Sequence, residues 1–124
     1  MGGVKLDGAG TAKMNTLEEA LKTLQSIHGM VERMAVEVKQ QKGVGVIPQQ
    51  IKRIASPLQG QLKGQFGLIA DQVSAMILIA GRGGGEQTKV RALRECVAQL
   101  RFSLDIAASK VKEQHAVPID VSPD

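Results

Sequence analysis

The sequence predicts an all-α domain, an antiparallel up-down-up three-helix bundle, with room for a short additional helix before Pro57. Three observations carry that expectation. Apolar residues recur at alternating three- and four-residue steps over long stretches, the period of one helix face. The core has to be aliphatic, because 124 residues include two Phe, no Tyr and no Trp, which removes the ring-rich packing expected of sandwiches and barrels. The stretches are separated by short glycine-bearing connections, QQKGVG and GRGGG, of the length that turns one helix back on the next.

Residues 1–15 show no sustained period and read as a flexible leader, with the helical domain spanning 16–115 and a flexible tail over 116–124. Thr16 is placed to cap the first helix, with Glu19 returning the bond three positions on. Leu17, Leu21, Leu24, Ile27 or His28, Val31, Met34 or Ala35, and Val38 form its stripe. The helix should stop near Gln41, with Gly43 taking a left-handed conformation.

The next segment starts at Pro48, whose missing amide costs nothing in a first turn. Ile47, Ile51, Ile54 and Ala55 give it an apolar side. Pro57 should then break or sharply kink the chain near Ser56, because its ring clashes with the preceding turn. From Leu58 the series Leu62, Phe66, Ile69, Val73, Met76 or Ile77, and Ala80 predicts a long second helix ending at GRGGG. Another side of it carries Gly60, Gly64, Gly67, Asp71 and Ser74. Each interior glycine costs about 0.5–1 kcal/mol relative to alanine, so this side reads as a close-packing seam or a malleable strip. Val90, Leu93, Val97, Leu100, Leu104, Ala107 and Val111 then keep a heptad rhythm, as in a left-handed bundle or coiled coil. A helical hairpin completed by a second copy is the competing architecture, so a homo-oligomer, with a dimer favoured, is expected.

Composition also bounds the chemistry. A chain of this length forms one domain, and a single Cys supplies neither an intrachain disulfide nor a multi-cysteine metal site. The opening MGGVKLDGAG lacks the apolar core of a signal peptide, and no stretch is apolar enough to span a bilayer, so the expected location is cytoplasmic, without membrane insertion. GRGGGEQTK fails as a phosphate loop because Thr88 precedes Lys89 and no strand leads into it. His28 and His115 have no recognisable catalytic or metal-ligand spacing around them. Cys96, beside core-register Val97, reads as a structural thiol. Neither a cofactor nor a metal is expected.

Two surfaces remain. Lys52, Arg53, Arg82, Arg91, Arg94 and Arg101 would bind an anion if the bundle gathered them, although only Phe66 and Phe102 are available for stacking on bases. Ile79, Phe102 and Ile106 widen the apolar stripes, a width that a bundle or a partner can bury, and Phe66, Phe102 and Ile106 with the glycine side at Gly60, Gly64 and Gly67 read as a protein-interaction surface. The expected function is therefore a noncatalytic adaptor or regulatory interaction domain with a protein partner. The alternatives are a nucleic-acid-binding protein using the basic residues and a histidine phosphotransfer component centred on His28.

Overall fold

Among residues 5–117, which the computed structural model describes, there are four helices: α1 Gly8–Lys39, α2 Ile47–Lys63, α3 Gly67–Gly81 and α4 Glu86–His115. The three-helix expectation is thus corrected, and the reason lies in where the middle of the chain turns. Ile51, Ala55, Leu58 and Leu62 form one buried stripe that passes straight through Pro57. Pro57 itself is exposed, so water can reach the carbonyl one turn back that its ring leaves unpaired. Ser56 does not cap a new helix; its hydroxyl donates back to the Lys52 carbonyl at 2.9 Å. The chain turns at residues 64–66 instead, where Phe66 leaves helical geometry at φ −133°, ψ 59°.

The first helix also differs from expectation. Asp7, not Thr16, caps it: the Gly10 amide donates to the Asp7 carboxylate at 2.7 Å. Residues 8–15 of the expected leader are its first turns, and Thr16 lies inside the helix with its hydroxyl donating to the Ala12 carbonyl. At the other end, the left-handed positions are Gln41 and Gly45, at φ 60° and 61°, rather than Gly43. Residues 1–4 and 118–124 of the expected leader and tail lie outside the described residues.

The helices pack as a ring: α1 adjoins α2 and α4, α3 adjoins α2 and α4, and the diagonal pairs do not approach. The connections and cross-contacts make neighbours antiparallel. Asp7 meets His115, Glu32 meets Arg94, and the Val44 amide reaches Glu86, which fixes α1 against α4. Lys52 lies against Gly81, which fixes α2 against α3. Leu24, Ile27, Val31 and Met34 of α1, Ile51 and Leu62 of α2, Val73 and Met76 of α3, and Leu93 and Leu100 of α4 are almost fully buried in one aliphatic core.

The helix lengths decide what this ring can cover. At 1.5 Å per residue α1 and α4 are about 45–48 Å long, whereas α2 and α3 reach about 22–26 Å. The short pair starts where α1 ends and α4 begins, so it covers only that part of the long pair. Beyond the α2–α3 turn, α1 and α4 continue as two helices, tied at their far ends by the Leu6–Ala116 bridge and the Asp7 amide bonded to the His115 carbonyl.

Candidate functional site

The length mismatch leaves a notch of about 670 Å³ where the α2–α3 turn stops against the continuing α1–α4 pair. Its walls come from Phe66, Leu68 and Ile69 at the start of α3 and from Ile106, Ala107 and Val111 of α4. Among the described residues, Lys13 and Lys110 are the charged ones lining it, and no carboxylate does. Gln72 lines it too, with its Oε1 shielded and without a hydrogen-bond partner. Around the notch the surface stays apolar: Leu68 is 83% exposed, Phe102 67% and Ile106 40%, while Leu78 at the other end of α3 is 68% exposed. The cause is the composition of α3, whose fifteen residues hold one charge, Asp71. A helix apolar nearly all round normally sits inside a protein, yet here α2 and α4 cover only part of it.

Of the residues predicted for protein interaction, Phe66 and Ile106 meet at the notch and Phe102 lies one turn from Ile106 on α4. Gly60, Gly64 and Gly67 do not form a packing seam. They are exposed, nothing lies within 4 Å of a side chain built on any of them, and they divide between the end of α2, the turn and the start of α3. The tightest glycine among the described residues is Gly10, where a Cβ would collide with the His115 side chain; at Gly81 it would press on the flexible end of Lys52. Leu68, Lys13, Lys110 and Gln72 were not assigned to the apolar surface by sequence reasoning. The usable signal was the near absence of charge between Gly67 and Gly81, which marks a helix with more apolar surface than one core face needs.

The predicted anion-binding residues are not gathered on one surface. Lys52 and Arg53 lie on α2, diagonal to the α4 residues Arg91, Arg94 and Arg101, and Arg82 lies in the α3–α4 connection. Arg94 is already committed: its guanidinium donates two bonds, at 2.7 and 2.8 Å, to the two oxygens of Glu32. That pairing holds the Glu32 carboxyl below the usual carboxylate range and raises the Arg94 guanidinium. His28 therefore has an acidic neighbour after all, since its Nε2 lies 3.7 Å from Glu32. A phosphoryl group on that nitrogen would meet like charge.

A second polar cluster closes the far end. His115 Nδ1 lies 3.1 Å from Asp7 and its Nε2 lies 3.0 Å from Lys13 Nζ. An ammonium only donates, so Nε2 accepts from Lys13, and a ring proton on Nδ1 serves Asp7. The Gly10 amide, foremost, and then His115 and Lys13 hold the Asp7 carboxyl low. With Lys13 occupying the outer ring nitrogen, the arrangement works as a clamp joining the start of α1 to the end of α4. Cys96 is half-buried, and burial, with Glu95 beside it, pushes its thiol up, away from the reactive thiolate. Among the described residues no three His, Cys, Asp or Glu side chains gather as a metal site, and no helix is long and apolar enough to cross a membrane.

Comparison with protein-family models, curated proteins and solved structures finds no match to this chain.

Proposed function

We propose that the protein is a noncatalytic helical interaction domain that docks protein partners on the open side of α3 and α4. One observation carries this reading: Leu68 of α3 and Phe102 and Ile106 of α4 stay in water on adjoining helices, at or near a notch with apolar walls. Side chains of this size, grouped rather than scattered, mark interaction surfaces. Homo-oligomerisation belongs to the same proposal. Leu78, at the end of α3 away from the notch, supports a self-contact separate from it.

The test compares the wild-type chain with the Leu68→Glu/Phe102→Glu double variant and with Leu78→Glu. Both sites are exposed, so thermal melting should stay close to wild type. The double variant should lose the partners recovered by the wild-type chain from its cell extract, and Leu78→Glu should lower the sedimenting mass. Identical partner recovery and a monomer in every case would refute the reading.

A further inference from the structure

We propose that the notch seats an amphipathic α-helix of a partner protein, with an apolar ridge and flanking carboxylates. The inference rests on the interaction reading above and names the chemistry of its partner. Three features of the notch converge on such an occupant.

The first is shape. Toward the α1–α2 connection, α1 and α4 are covered by helices; at the notch the covering helix is missing, and its place continues past the start of α3. The α4 wall runs from Ser103 to Gln114, about 17 Å or three helical turns. That length receives three large side chains at i, i+4 and i+7 of an incoming helix, the helix-in-groove mode. The outer side of the notch is open to water, which suits a helix presenting one apolar face and leaves an isolated acyl chain half in solvent.

The second is charge. Lys110, and Lys13 with the donors it does not give to His115, line the notch, and no carboxylate does among the described residues. The start of α3, which forms one wall, has no side-chain cap and no acidic residue in its first turn. Its free amides and dipole favour negative charge at the same place as the two lysines. The third is the partnerless Oε1 of Gln72 in the wall. A donor from the incoming helix would satisfy it once the Gln72 side chain turned toward the notch.

The probes are two synthetic helical peptides of about fourteen residues, sharing a Leu ridge at i, i+4 and i+7. One carries Glu beside the ridge and the other Lys. Binding is read by fluorescence anisotropy and by amide shifts in nuclear magnetic resonance spectra of the whole chain. The Glu peptide should bind roughly tenfold or more tightly than the Lys peptide, with shifts centred on Leu68, Ile106 and Val111. Lys110→Glu, an exposed change, should reverse that preference while leaving the circular dichroism spectrum unaltered.

Equal affinity for the two peptides, binding of neither, or shifts outside the notch would overturn the proposal. So would laurate filling the notch in their place, or a dimer of the free chain that Leu68→Glu dissociates, which would make the occupant a second copy. If neither peptide binds but Leu68→Glu/Phe102→Glu still abolishes partner recovery, only the occupant is wrong and the interaction reading stands. If that double variant loses nothing, the interaction reading itself fails.

Discussion

The α1–α4 pair meets the rest of the chain differently at its two ends. Toward the α1–α2 connection Ile27, Val31 and Met34 of α1 and Leu93 and Val97 of α4 are buried where α2 and α3 cover the pair, and the stripe is sealed. Toward the other end the stripe of α4 stays buried at Leu104 and Val111, but Ile106, an apolar residue beside it, is exposed. The spacing is alike in both halves and the coverage is not. An apolar stripe therefore tells which residues seek a partner; the lengths of the neighbouring helices tell whether the chain supplies one.

Truncating one residue in each half gives the largest expected contrast. Leu93 is fully buried, so Leu93→Ala should cost about 2–5 kcal/mol through lost burial and a residual cavity. Ile106→Ala, in the open half, should cost less than about 1 kcal/mol. Urea unfolding followed by circular dichroism measures both. Similar losses would mean that Ile106 is covered in solution and that the notch is closed.

A glycine pair sharpens the contrast, because the same substitution should act with opposite sign. At Gly10 the added methyl meets His115 across the clamp, and Gly10→Ala should destabilise by about 1–3 kcal/mol as one helix is forced off the other. At Gly60 the methyl meets nothing, and Gly60→Ala should stabilise by about 0.5–1 kcal/mol as alanine's helix preference acts unopposed. Loss of stability at Gly60 in the same urea assay would restore a packing role for that side of α2.

These contrasts also mark how far the sequence could be read. The stripes of α1 and α4 were legible because burial follows the helical period in both. The α2–α3 turn was not, because the apolar series Leu62, Phe66, Ile69 keeps helical spacing across it. Even the hydrogen bonds preserve that spacing: Phe66 donates to the Leu62 carbonyl and Ala70 to the Phe66 carbonyl. Pro57 was a strong local signal overruled by a buried stripe on the opposite side of its helix. At the notch, Phe66 was legible as a stripe residue and Ile106 as an apolar residue beyond the stripe. Lys13 was not, since it fell in the expected leader, and Leu68 needed the start of α3 to be known. The clamp joins residues 108 apart in the chain, and no local pattern announces such a pair.

Acidification separates the two halves most finely, because each depends on one exposed carboxylate. Asp7 in the clamp and Glu32 opposite Arg94 are both held below the usual carboxylate range in the folded chain. Unfolded, each takes up a proton at its ordinary value, near pH 4. The unfolded chain thus binds more protons as pH falls. The stabilisation is complete above that ordinary range and is lost as pH drops through the lower folded value. Solvent and salt screen both groups, so the effect should be the smallest of those considered and should shrink at high ionic strength. Asp7→Asn keeps a capping side chain but removes the titration. Between about pH 5 and pH 2, it should flatten the pH dependence of amide protection at residues 8–13 and leave residues 90–97 as in wild type. Glu32→Gln should do the reverse. If each variant altered both segments equally, the clamp and the covered half would be responding to acid as one unit, and the division of the α1–α4 pair into two regimes would fail.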